Sequence, residues 1–127
     1  MAQINSFEEM EVYIEAFKFQ NRVLKMTRSW PKEEMYSLTD QIRRSSRSVG
    51  SSIAEAWGKR RYVAHFVSKL TDADAEQLET RHWLHSAMSA GYISEDEYNT
   101  GIDACKSIGR KLGKIIANPD PWIIKPK

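Results

Sequence analysis

A chain of 127 residues is long enough to bury one real core, and 41% hydrophobic with 28% charged residues excludes a disordered polyelectrolyte. No apolar run approaches a membrane span, and the acidic opening MAQINSFEEMEV carries no apparent signal peptide. The single cysteine, Cys105, excludes an internal disulfide; together these predict a cytoplasmic protein.

The first predicted helix covers 7–29. Ser6 and Glu9 have the spacing of a capping box. Met10, Tyr13, Phe17 and Leu24 form one apolar row and Val12, Ala16, Phe19, Val23 and Met26 a second. Two rows suit a deeply wedged helix, or one shared between the core and a subunit interface. Pro31 suits the first turn of a second helix, 32–57, with Glu33 and Glu34 at its positive end. Its inward register is Leu38, Ile42, Ser45 or Ser46, Val49, Ile53 and Trp57, and Gly58 ends it.

The third helix is predicted over 62–90, with Phe66, Leu70, Ala73, Gln77, Thr80, Leu84, Ala87 and Met88 inward and Gly91 as a left-handed cap. Ser94 and Glu97 form a capping box that opens the fourth helix, 95–117. It presents Tyr98, Ile102, Cys105, Ile108, Leu112 and Ile116. The tail, 118–127, has three prolines and is not helical throughout. Its Trp122, Ile123 and Ile124 are expected to pack on the bundle or on a neighbouring subunit. Four helices with short connections predict a single all-α domain, an antiparallel up-and-down four-helix bundle.

Several stretches resemble a known family. They are Trp30-Pro31-x-x-Glu34, Leu38-x-x-Gln41-Ile42-Arg43-Arg44, Ser48-Val49 and Ile53-Ala54-Glu55, followed by Phe66, Leu70, Glu79-Thr80-x-x-Trp83-Leu84, Gly91-Tyr92-Ile93 and Leu112. Together they resemble the four-helix-bundle proteins encoded in intervening sequences of bacterial 23S ribosomal RNA genes. The resemblance implies a homopentamer of up-and-down bundles. Relatives of that family include accessory variability proteins of diversity-generating retroelements, which bind nucleic acid and associate with a reverse transcriptase. Where the family's usual pattern has Pro after S-V, Asn before I-A-E and Gly after it, this chain has Gly50, Ser52 and Ala56.

Charge is unevenly placed. Residues 41–62 hold six basic side chains against one acid, Glu55, a local net charge of +5; the other 13 basic and 16 acidic groups net −3. Arg43 and Arg47 stand four apart, where like charges repel. Lys59, Arg60 and Arg61 precede a helix start, the end whose dipole disfavours cations. Folding alone does not place them there. From Arg47 to Lys59 the rise is about 18 Å, so the two groups can form one band facing a phosphate backbone. Arg43, Arg44, Arg47, Lys59, Arg60 and Arg61 are the candidate phosphate contacts, with Tyr62 and Trp57 beside them to stack on bases. The interior small residues, Ser45, Ser46, Ser48, Gly50, Ser51 and Ser52, fit a thin part of the core filled by Trp57, Phe66 and Trp83, or the close approach of a ligand. A second basic row, Lys106, Arg110 and Lys114, matches ordinary dipole pairing at a helix end.

No catalytic signature accompanies the band. Glu79-x-x-His82 is a single copy of a motif that di-iron bundles need twice, with further glutamates. His65, His82 and His85 share one helix, no zinc spacing surrounds Cys105, and no phosphate-loop or nucleophile-elbow motif occurs. No metal, cofactor or enzymatic activity is expected. The favoured function is nucleic-acid binding, RNA above all, by a homo-oligomer. The opposing one is a scaffold whose Ser/Arg face meets other subunits or a protein such as a reverse transcriptase.

Overall fold

The spacing of apolar residues by threes and fours resolves into four helices in the computed structural model, which describes residues 4–126. They are α1 (Glu11–Thr27), α2 (Leu38–Gly58), α3 (Val63–Ser89) and α4 (Glu95–Ala117); no strand occurs among the described residues. Early residues of each helix meet late residues of its neighbour. Arg43 of α2 bonds Thr27 of α1, Ser45 of α2 meets Thr80 of α3, and Glu15 of α1 meets Lys111 of α4. On the α3–α4 seam, Leu84 lies against Gly101 and Gln77 against Gly109. The result is an antiparallel up-and-down bundle with α2 diagonal to α4 and the broadest interface between α2 and α3.

Helix starts differ from the sequence reading in two places. Ser6 and Glu9 do not cap a long helix. Ser6 Oγ accepts from Glu8 N at 3.2 Å and Glu9 Oε1 from Asn5 N at 3.0 Å, around a 3-10 turn at Phe7–Glu9. Extended backbone at Met10 (φ −67°, ψ 130°) then drops that side chain into the core before α1 begins. Likewise Lys32–Glu34 is a 3-10 turn, and Ser37 (φ −126°, ψ −102°) separates it from α2. Glu34 is held there by one local and one long-range tie: its carboxylate accepts from Ser37 Oγ at 2.7 Å and from Tyr92 Oη at 2.8 Å. At the far end Gly58 is still helical, while Gly91, at φ 81°, takes the left-handed cap. The Ser94–Glu97 box forms as expected, with both bonds at 3.1 Å.

In α1 the inner row is Val12, Ala16, Phe19 and Val23, whereas Ile14 and Phe17 stay 41% and 46% exposed. Met88 of α3 turns outward rather than in. The serine stretch of α2 is a thin place in the core. Ser45, Ser46, Gly50 and Ser52 are buried, while Ser48 is half-buried and Ser51 exposed. Thr80 meets Ser45 there, and the Tyr13 ring comes 3.5 Å from where a Gly50 side chain would begin. Tyr13 thus covers Gly50, and Trp57 and Trp83 remain half-buried. The tail folds back on its own bundle: Trp122 and Ile123 pack against the core, and Ile124 N donates to Arg60 O at 3.0 Å.

Candidate nucleic-acid interface

The cations of 41–62 lie on the outer side of α2 and in the turn that joins it to α3. Arg43 leans towards α1, half-buried, and its Nε donates to Thr27 Oγ1 at 2.8 Å. Arg44 faces solvent with its side chain 71% exposed; the one carboxylate within ion-pair distance among the described residues, Asp40, is 3.8 Å away. Arg47, Lys59 and Arg61 are exposed, and none has an ion-pair partner among the described residues. Between the two groups the outer face carries the small residues Ser51 and Ala54 and the exposed Glu55.

Glu55, the one acid of the stretch, neutralises none of these arginines. Its carboxylate pairs instead with Lys69 of α3 at 3.2 Å, which also reaches Asp72 at 3.6 Å. The hydrogen bond and charge of Glu55 hold Lys69 above its ordinary pKa. Further along α3, burial and then the nearby Glu79 and Asp72 raise the carboxyl of Glu76, against the opposite pull of Arg44. An acidic edge on α3 therefore borders the cationic face of α2.

Arg60 has the most constrained geometry of the group. Its guanidinium carbon sits 3.4 Å from the centroid of the Trp57 ring, and its Nε donates to Trp57 O at 2.8 Å. Partial burial pulls its pKa down from the ordinary guanidinium range. Arg60 follows Trp57 by three residues, just past the end of α2, so the turn can bring it back over the ring; that closeness in the chain is a signal present in the sequence. Its consequence is that Trp57, expected to stack on bases, already carries a guanidinium on one face. Tyr62, at the start of α3, is 60% exposed and tilts against His65 with ring centroids 5.5 Å apart.

The other sequence features fall elsewhere. Lys106, Arg110 and Lys114 are exposed on α4, across the bundle from α2. Glu79 accepts from Trp83 Nε1 at 3.2 Å, while His82 and His85 lie exposed beside Trp83 and Tyr98. No cluster of three potential metal ligands forms among the described residues. Cys105 is fully buried, which pushes its thiol up to about 12. No helix among the described residues is long and apolar enough to cross a membrane.

Residues 8–114 match the family model of the 23S rRNA-intervening sequence protein. Among solved structures, the fold is similar to a protein of unknown function from the S23 ribosomal protein family of Bacteroides thetaiotaomicron VPI-5482. The TM-score is 0.77 at 28% identity, covering 84% of this chain and 96% of the other. No curated protein matches.

Proposed function

The chain belongs to the 23S rRNA-intervening sequence protein family, and from that premise we propose that it is a non-enzymatic RNA-binding bundle, acting in the cytoplasm as a homo-oligomer. The observation that carries this reading is a set of like charges that is only partly matched by counter-charges. Arg47, Lys59 and Arg61 stand exposed with no carboxylate within 4.0 Å among the described residues, and Arg44 has only a loose, solvated pair. A surface pair of that kind contributes roughly 0–1 kcal/mol, comparable to the like-charge repulsion on the helix, and Arg47, Lys59 and Arg61 lack even that among the described residues. A phosphate backbone supplies the missing negative charge, and release of its counterions drives association. In the homopentamer implied by the family resemblance, the band repeats around an axis and gains avidity without a new kind of contact.

Fluorescence anisotropy with labelled RNA tests the proposal. Binding should fall steeply as salt rises, with a log–log slope of about −0.7 per neutralised phosphate on single strands. Arg44→Glu with Arg47→Glu should abolish it while light scattering finds the oligomer unchanged.

A second reading has its own support. Ile14 and Phe17 leave an apolar strip on the outside of α1, as a scaffold contacting other subunits or a reverse transcriptase would require. That reading is favoured if the wild type shows no salt-dependent RNA binding and the arginine substitutions dissociate the oligomer.

A further inference from the structure

We infer that the turn between α2 and α3 is a reader of unpaired nucleotides, in which Arg60 presents a fixed guanidinium fork to phosphate and Tyr62 offers its ring to a base. The inference rests on the proposed RNA binding and adds a preference for single strands over duplex.

Arg60 carries the first half of the argument. An ordinary surface arginine must surrender side-chain freedom when it binds. Here that freedom is already lost: the guanidinium lies on the Trp57 ring at 3.4 Å, and Nε is fixed on Trp57 O at 2.8 Å. The backbone is held as well, because Arg60 O accepts from Ile124 N at 3.0 Å and so ties the tail to the turn. With Nε occupied, the terminal nitrogens are left as donors, and no carboxylate lies within 4.0 Å of them among the described residues. A partly desolvated, pre-positioned cation lacking an internal anion is arranged to receive an external one, and the planar fork suits phosphate oxygens in pairs. Trp57 is then a positioning residue.

Tyr62 supplies the second half. It follows Arg60 by two residues, at most about 7 Å along the backbone, and is flanked by the exposed Lys59, Arg61 and Val63. No core contact needs a ring 60% exposed at this place. Bases in a duplex are stacked on each other and present no face to such a ring, whereas unpaired bases do. An acidic peptide would engage the cations through its carboxylates and leave the aromatic plane unused.

The test compares a labelled uridine oligonucleotide with a blunt RNA duplex of equal length, using the full chain. Tyr62→Ala should weaken single-strand binding about tenfold, the loss of one stacked base, and leave the duplex unchanged. Tyr62→Phe keeps the ring and should bind like wild type. Arg60→Lys preserves charge, and so the salt slope, but lacks the planar fork; it should weaken the single strand several-fold. If Tyr62→Ala affects both RNAs equally, or Arg60→Lys binds as wild type, the turn is a featureless part of the charge band, and this inference falls while RNA binding stands. If the wild type binds neither RNA at low salt, the underlying reading fails and takes the inference with it. If the tip variants instead lose binding to phosphatidylserine vesicles while single-strand affinity holds, the reader assignment is overturned in favour of a membrane surface.

Discussion

Thr80→Val removes one buried hydroxyl and tests why α2 has serines in its interior. Thr80 Oγ1 lies 2.8 Å from Glu76 O and 2.8 Å from Ser45 Oγ, and both residues are essentially buried, at 0% and 1% exposure. A hydroxyl has one proton, so the two side chains share a chain of donation that ends on a helix carbonyl. Without Thr80 Oγ1, Ser45 has only Ile42 O, at a poor 3.4 Å. That orphaned polar group costs about 1–2 kcal/mol, which for a chain of this length lowers Tm by about 4–7 °C. Ser45→Ala is different. Thr80 keeps Glu76 O, and the gain in helix propensity, roughly 0.5 kcal/mol, offsets most of the lost bond. The double variant removes both polar groups and should come within about 0.5 kcal/mol of wild type, a coupling of about 1 kcal/mol. Urea denaturation with unchanged slope measures all four proteins. Strict additivity of the single effects would refute the shared bond, and with it the view that these serines are packing residues matched to α3.

Two glycines of α4 should respond with opposite sign to alanine. A Cβ on Gly101 would lie 2.9 Å and 3.3 Å from the two methyls of fully buried Leu84, whereas Gly113 faces open space. Gly101→Ala should destabilise by about 1–2 kcal/mol and Gly113→Ala stabilise by about 0.5–1 kcal/mol; equal shifts in thermal melts would contradict the close approach of α3 to α4. The tie between the loops that join α1 to α2 and α3 to α4 should be pH-dependent. Bonds from Ser37 and then Tyr92 hold Glu34 below its ordinary 4.5. A depressed carboxyl stabilises the fold when ionised, so the advantage of wild type over Glu34→Ala should be complete above about pH 5 and vanish as pH falls through the lowered value. A Tm difference that persists unchanged in acid would show that the carboxylate is not the acceptor that matters.

The four helices, their order and their antiparallel sense were legible in the residues alone. Spacing by threes and fours records which side chains share a face, and Pro31, Gly91 and Ser94 mark where the chain must turn. Both are local properties, written within a few residues of where they act. The same locality sets the limit. Ser6 and Glu9 fit a cap, but burial of Met10 against the rest of the bundle displaced the helix start. Of two apolar rows on α1, neighbours distant in the chain chose which would be covered and left Phe17 outside. At the candidate site the sequence displayed the crowded charges, yet it could not show that Lys69 takes Glu55, that Trp57 holds Arg60, or that Ile124 pins the turn. Spacing of three marked Trp57 and Arg60 as neighbours without saying that their groups would stack. The partners of Glu55 and Arg60 O come from other segments, so their pairing is decided when helices dock, by burial and desolvation rather than by local propensity.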